Sequence, residues 1–215
     1  MFSLLFLAVW FVIFLFRPFV RREMFWVSLF TMPAGLIEPL FVPEYWNPPS
    51  LFDLAARTGF DIESLIFCFA VGGIAAVLYE ALFKIEHRRM DKKEMDCRRH
   101  RLHRLSIISP FIVFVLLYFL TSLNPIYYLS AALFVGGVLA LLCRPDLKRK
   151  ILVGGLLFLA LYFIFFLGAN VAFPYFVTYW NLPALSGVLI LNVPLEELMF
   201  AFTFGMMWSS IYESC

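Results

Sequence analysis

The chain has 215 residues, of which 63% are hydrophobic and 19% aromatic, while only 15% carry a charge. In an ordinary soluble domain about a quarter of the residues are charged, so this composition excludes that class and predicts an all-α integral membrane protein. The net charge of +2 at pH 7 is small, but the basic residues are segregated between long apolar runs. Such segregation carries information about membrane topology.

Seven apolar runs are long enough to predict transmembrane helices of about 20 residues. They lie near 1–16, 23–42, 61–83, 105–122, 126–143, 151–173 and 184–212. The first run lacks the basic start and the small-residue cleavage site of a signal peptide. We therefore expect it to remain as the first span.

Three loops contain 16 of the 17 lysine and arginine residues. Three basic residues lie in RPFVRRE (17–23), nine in the long segment 84–104, and four in RPDLKRK (144–150). The positive-inside rule then predicts that these loops are cytoplasmic. The protein would cross the cell membrane several times, with its N-terminus outside and its C-terminus in the cytoplasm.

The longest basic loop also carries three histidines and a cysteine. A metal site at His87, Cys97, His100 and His103 is conceivable, but the surrounding arginines disfavour a bound cation. We expect this loop to contact membrane lipids rather than a metal ion or a nucleic acid. The four cysteines of the chain form no C-x-x-C pair, and we expect no disulfide.

The two ends of the chain resemble each other in four places. FRPFVRRE (16–23) matches CRPDLKRK (143–150), YWNPP (45–49) matches YWNLP (179–183), FDIESLIFCF (60–69) matches VPLEELMFAF (193–202), and LYE (78–80) matches IYE (211–213). The order predicts two parallel three-helix repeats, 1–83 and 126–215, joined by a basic cytoplasmic loop and a linker helix at 84–125. A cavity between the repeats would be lined by both third helices.

Glu196 and Glu197 stand in an apolar run, NVPLEELMFAF (192–202). One interpretation is that they cap a helix, because proline and then glutamate is a common helix start. The other follows from the apolar segment ALSGVLILNV before Pro194, which predicts that both lie within the membrane. An acid in such surroundings tends to keep its proton, which suits proton transfer in an apolar site.

Further candidates surround these glutamates or repeat their pattern. Since helix neighbours point about 100° apart, one glutamate is expected to face the cavity while the other is hydrogen-bonded. Asn192 and Phe200 flank Glu196 at four-residue spacing, and Glu63 and Phe67 repeat part of that arrangement. Glu38 is a third acid, either catalytic or an interface residue. Two interpretations remain for the repeated Tyr-Trp-Asn sequences: the aromatic side chains lie at the membrane interface, or both sequences form a shared structural corner. The residues concerned are Tyr45, Trp46, Asn47, Tyr179, Trp180 and Asn181.

These motifs together resemble the lycopene cyclase domain family. The resemblance rests on PLEELMF, the preceding aromatic-Asn-Pro corner, the Arg-Pro loop and the downstream IYE, and covers roughly 1–83 and 126–213. This family is the membrane-embedded, non-flavin type of cyclase, found as heterodimers in some bacteria and as fused tandem domains in archaea and fungi. Its members are expected to convert the linear ψ-ends of lycopene, or of a related carotenoid, to β-rings without redox change.

The resemblance also implies roles for residues. Glu196 and Glu197 are expected to be the acid/base pair, with Glu63 as their counterpart in the first repeat. The corner residues, the flanking residues and Glu38 are candidates from their positions in the sequence alone, and we expect them to bind the carotenoid. The first repeat has FDIES in place of P-L-E-E, so Glu63 is expected to assist. The chain lacks the dinucleotide fingerprint of flavin-dependent cyclases, so no redox cofactor is expected.

Two rival functions remain open at this point: a proton-coupled transporter built from the same repeats, and a non-catalytic subunit that binds a carotenoid or another lipid. The expected partners are a carotenoid taken from the bilayer and membrane lipids. The sequence does not distinguish a homo-oligomer from a complex with other carotenoid enzymes.

Overall fold

The structure, a computed structural model, describes residues 2–49, 54, 57, 60–83 and 101–212, with the side chains of 2 and 101–104 excepted. These residues are nearly all helical. Seven α-helices lie among them: α1 (Phe2–Phe16), α2 (Arg21–Thr31), α3 (Ile62–Phe83), α4 (Arg101–Leu120), α5 (Pro125–Cys143), α6 (Lys148–Ala172) and α7 (Leu195–Trp208). Short 3-10 helices lie at Pro18–Val20, Met32–Leu40, Pro145–Leu147, Phe176–Tyr179 and Leu182–Ala184.

Three helices of the described residues are long and apolar enough to cross a membrane: Ile62–Phe83, Pro125–Cys143 and the continuous segment Pro145–Ala172. A fourth span results if Ser3–Phe16 and Pro18–Leu40, which are bent by 106° relative to each other, count as one. The helix Leu105–Leu120 is apolar but shorter. Among the described residues, this criterion gives fewer full-length spans than the seven predicted, while the number of α-helices equals the predicted seven.

The predicted helix at 184–212 is wrong over its first third. A β-hairpin occupies this region, with β1 (Leu189–Ile190) antiparallel to β2 (Val193–Pro194), and α7 begins only at Leu195. The turn residues Leu191 and Asn192 have φ angles of 50° and 64°. Positive φ at two consecutive residues interrupts a helix and is the geometry of a tight hairpin turn.

The second predicted helix also changes character along its length. Its α-helical part ends at Thr31, and the remainder to Leu40 is a 3-10 helix. Pro33 and Pro39 lack a backbone N–H and cannot complete an α-helical hydrogen-bond ladder, so the tighter helix results. This segment positions Glu38.

The two halves pack their helices in the same order. In the first half α3 packs against α1 and α2, and in the second half α7 packs against α5 and α6. The halves meet where α3 contacts α6 and α7, and α4 packs against α5. This order is compatible with the predicted repeats, whose common orientation stays a prediction.

Glycines allow close packing between the helices of each half. A Cβ on Gly72 would overlap the side chain of Thr31, and a Cβ on Gly205 would lie 2.7 Å from the Cβ of Phe158 and 3.0 Å from the Cα of Gly155. Gly72 and Gly205 are at matching positions of α3 and α7. Gly72 and Gly155 belong to the Gly-Gly pairs of VGGI and VGGL, so two of these pairs lie at close helix contacts.

The basic turns lie at one end of the molecule. Arg17 and Arg144 have the same backbone conformation, with φ of −125° and ψ of 72°, and each precedes a proline-led 3-10 turn. Near the same end, Glu80 of α3 forms a buried ion pair with Lys150 of α6. In the exposed turn itself, Arg144 forms an ion pair with Asp146, with 2.7 Å between Nη2 and Oδ2.

Candidate functional site

A cavity of about 230 Å³ lies between the two halves. Its wall is mostly aromatic and aliphatic. The phenylalanines that line it are Phe41, Phe67, Phe165, Phe166, Phe176, Phe200 and Phe204. Four carboxylic side chains also line it: Glu38, Asp61, Glu63 and Glu197. The cavity therefore combines an apolar wall with several groups able to donate or accept a proton.

Glu197 lies in the first turn of α7 and reaches this cavity with only 4% of its surface exposed. Its Oε1 accepts a hydrogen bond of 2.8 Å from Nε1 of Trp180, and its Oε2 lies 3.0 Å from the hydroxyl of Tyr162. The Tyr45 hydroxyl lies near the same carboxyl without the geometry of a hydrogen bond to it.

The hydrogen bonds of Glu197 leave a defined place for a proton. The indole N–H of Trp180 can only donate, so Oε1 remains an acceptor whether or not the acid is ionised. The hydroxyl of Tyr162 can either donate or accept. Oε2 is therefore the oxygen that can carry a proton without losing its partner.

Glu196 has different surroundings from its neighbour. It is 2% exposed and does not line the cavity. Its Oε1 accepts hydrogen bonds of 2.5 Å from the Tyr127 hydroxyl and 2.8 Å from the backbone N–H of Ser186. Glu196 thus connects α5 and the segment before β1 to the start of α7.

The β-hairpin determines where α7 begins. The backbone N–H of Leu195 donates to the carbonyl of Val188 at 3.0 Å, which brings the chain back across the hairpin. Asn192 lies exposed in the turn and not on the helix, so the prediction that it flanks Glu196 on a helix is wrong. Helix capping and burial both apply here, because the glutamates occupy the first helical turn and yet are shielded from solvent.

The first half places three polar residues together at the start of α3. Asp61 precedes this helix, and its Oδ1 accepts a hydrogen bond of 2.7 Å from the N–H of Ser64, as a helix cap does. Glu38 comes from the 3-10 segment, and its Oε2 accepts a hydrogen bond of 3.0 Å from the N–H of Asp61. Gly35 permits this approach, because a Cβ there would lie 2.8 Å from the Ser64 carbonyl.

The two Tyr-Trp-Asn sequences form one corner. Trp46 and Trp180 pair in an antiparallel β-bridge. The N–H of Asn47 donates to the carbonyl of Tyr179 at 2.7 Å, and the N–H of Asn181 donates to the carbonyl of Tyr45 at 2.9 Å. The interpretation as a shared structural corner is confirmed by this reciprocal pairing. The corner holds the Trp180 indole against Glu197.

The predicted site residues divide into two groups. Those that line the cavity are Glu38, Tyr45, Trp46, Glu63, Phe67, Glu197 and Phe200. Those that do not are Asn47, Tyr179, Trp180, Asn181, Asn192 and Glu196. Sequence reasoning missed Tyr162, Tyr127 and Ser186. The only signal for Tyr162 was a single hydroxyl in an apolar run.

The residues predicted as a conceivable metal site lie mostly outside the part of the chain that the structure describes. Among the described residues, no group of three or more His, Cys, Asp or Glu side chains could hold a metal ion. His87, Cys97 and His100 lie outside the described residues, and so does the side chain of His103. Cys68 and Cys143, which both lie within the described ranges, are not joined in a disulfide.

Comparison with known proteins gave one family. Residues 124–215 match the family model described as lycopene cyclase, a range that contains α5, α6, the hairpin and α7. The search of the curated proteins and the search of the solved structures gave no match.

Proposed function

We propose that this chain, whose residues 124–215 match the lycopene cyclase family model, is a carotenoid end-group cyclase acting in the cell membrane. It converts the linear ψ-ends of lycopene, or of a related carotenoid, to β-rings. The substrate enters from the bilayer, since a long polyene is far more soluble there than in water. The surrounding membrane lipids are the other partner of the apolar helices.

The reaction is an isomerisation that needs no oxidant or reductant. An acid adds a proton to the terminal double bond and produces a tertiary carbocation. The next double bond attacks this cation, closing the ring through a new carbon–carbon bond. A base then removes a ring proton, and the remaining electron pair forms the ring double bond.

Glu197 is the residue that carries this proposal. It presents a carboxyl group to an apolar cavity while Trp180 and Tyr162 fix its two oxygens. The phenylalanine faces around it would stabilise a cation that has no counter-ion of its own. Exclusion of water matters equally, because water would trap the cation as an alcohol.

Glu196 takes a supporting role in this mechanism. Its hydrogen bonds to Tyr127 and Ser186 hold the start of α7, and thereby Glu197, in place. Glu63 lies in the cavity wall on the opposite half, where it would assist in binding or in proton transfer. A hydrated polar solute would find little along this wall to bind, which disfavours a transporter.

The test is conversion of lycopene by a bacterial host that accumulates it and expresses this chain. The unchanged chain should give β-ring products. Glu197→Gln should reduce conversion roughly a hundredfold or more, because an amide of the same shape cannot exchange the proton. Pigments are separated by chromatography and normalised to the amount of protein in the membrane.

Glu196→Gln is the matched comparison in the same helical turn. It keeps an acceptor oxygen for Tyr127 and Ser186, so its loss of conversion should be much smaller than that of Glu197→Gln. No β-ring product from the unchanged, membrane-inserted chain would contradict the proposed function. Full conversion by Glu197→Gln would contradict the assignment of Glu197.

A further inference from the structure

Ring closure requires a proton to enter at one carbon and to leave from another. Of the adjacent glutamates in α7, only Glu197 lines the cavity, because Glu196 is directed to Tyr127 and Ser186. A single carboxyl would have to serve both ends of the closing ring. A second proton-transfer group in the cavity wall would remove this geometric conflict.

We propose that Glu38, in the 3-10 segment of the first half, is the general acid that protonates the substrate, and that Glu197 is the base. The inference rests on the proposed function. It would make the reaction depend on both halves of the chain, with one carboxyl group contributed by each.

Three observations favour Glu38 over the other carboxyl groups of the first half. Glu38 is 6% exposed and lines the cavity, whereas Glu63 is only partly buried. Asp61 is buried too, but its Oδ1 is used to cap α3 through the Ser64 N–H. Glu38 comes from another segment and binds no N–H of α3 itself among the described residues; its Oε2 accepts from the N–H of Asp61, the residue before that helix.

The contact between Glu38 and Asp61 also suits a proton donor. Oε2 of Glu38 accepts a hydrogen bond of 3.0 Å from the N–H of Asp61, and the side chains of both residues are buried. Two adjacent carboxyl groups in apolar surroundings are costly to ionise together, so such a pair favours holding one proton. Glu197 is also buried, but it receives hydrogen bonds from Trp180 and Tyr162, and such donors favour an ionised carboxylate.

The proposed step balances without any co-reactant. Glu38 gives its proton to the less substituted carbon of the terminal double bond. The electron pair of that double bond forms the new C–H bond and leaves the tertiary carbocation at the other carbon. After ring closure, Glu197 takes the ring proton. Each turnover leaves Glu38 ionised and Glu197 protonated, so one proton must return before the next turnover.

The experiment compares Glu38→Gln with Glu38→Asp in the lycopene-accumulating host. The glutamine keeps an acceptor for the Asp61 N–H but has no acidic proton, so conversion should fall roughly a hundredfold or more. The aspartate keeps the acid but is one methylene shorter, so it should retain more conversion than the glutamine. A residue with only a structural role would show the reverse order, because glutamine preserves its shape and its hydrogen bond.

Glu44→Gln is the matched control. Glu44 is an exposed acid that does not line the cavity. The Glu44→Gln variant should therefore convert lycopene as well as the unchanged chain does. Conversion is expressed per folded molecule, measured as the monodisperse fraction after detergent extraction. Lycopene that co-purifies with Glu38→Gln shows that the cavity still binds substrate.

The possible results separate this inference from the proposed function. Full conversion by Glu38→Gln together with loss in Glu197→Gln would overturn the role of Glu38 and leave the cyclase intact. Higher conversion by Glu38→Gln than by Glu38→Asp would also overturn the role of Glu38. Failure of the unchanged chain to convert lycopene would instead overturn the proposed function.

Discussion

Tyr162 shows how one residue in an apolar helix can control a catalytic group. It lies in LALYFIFF (159–166) of α6, is buried, and has its hydroxyl 3.0 Å from Oε2 of Glu197. A buried hydroxyl needs a polar partner, and here the partner is the carboxyl to which we assign proton transfer. The hydrogen bond fixes the side-chain angle of Glu197 toward the cavity.

Tyr162→Phe should therefore lower conversion of lycopene by roughly ten- to a hundredfold. The ring and its aromatic contacts remain, and the loss corresponds to one hydrogen bond to a charged group, about 1.5–3 kcal/mol. The measurement is product formed per membrane-inserted protein. Tyr128→Phe is the control, because the Tyr128 hydroxyl donates to the Thr121 carbonyl and Tyr128 does not line the cavity. Equal conversion by the two variants would show that the bond to Glu197 has no role.

The sequence predicted the position of the acids better than their surroundings. PLEE indicated that Glu196 and Glu197 open a helix, which the structure places at Leu195. Which of them faces the cavity depends on where that helix begins, and the hairpin that sets this point was not predicted. The hydroxyl of Tyr162 is 35 residues away along the chain, and no local pattern connects it with Glu197.

Among the helices, close contacts at glycine residues determine how each half is packed. α7 approaches α6 so closely at Gly205 that an added Cβ would lie 2.7 Å from the Phe158 Cβ. The same approach positions the first turn of α7, where Glu197 lies. Packing of the glycines is thus coupled to the geometry of the site.

Gly205→Ala should destabilise the protein by about 1–3 kcal/mol, since the new methyl group meets both a side chain and the backbone of Gly155. Gly168→Ala is a matched substitution in α6, where a Cβ would meet nothing within 4 Å. It should be neutral or stabilising by up to about 1 kcal/mol, because alanine favours a helix. Thermal unfolding of the two variants in the same detergent measures the difference. A lower midpoint for Gly168→Ala than for Gly205→Ala would contradict the packing argument.

Apolar runs predicted most of the helices well, including α3, α5 and α6. They failed at 32–40 and 184–194, since hydropathy alone does not distinguish an α-helix from other apolar backbone. Pro33 and Pro39 explain the 3-10 segment after the fact. Asn192 at positive φ is typical of hairpin turns, but the apolar residues around it obscured that signal.

At the scale of the whole molecule, two separate sets of contacts join the two halves. Glu80 and Lys150 pair in the interior where α3 and α6 meet, which places the end of α3 beside the start of α6. The Tyr-Trp-Asn corner joins the halves elsewhere through the reciprocal bonds of Asn47 and Asn181. The repeated landmarks predicted this correspondence, whereas the contacts between halves came only from the structure, because sequence similarity between repeats does not specify how they pack.

Membrane orientation is the last property to test. The positive-inside rule places the turn at Asp146 in the cytoplasm and the corner at Glu44 outside. Both side chains are exposed, and substitution of the four native cysteines by serine leaves a background for single cysteines. A membrane-impermeant maleimide should label Glu44→Cys in intact cells, because that face meets the medium. It should label Asp146→Cys only after permeabilisation. The reverse pattern would invert the orientation, and labelling of both in intact cells would show that the chain between them does not separate the two compartments.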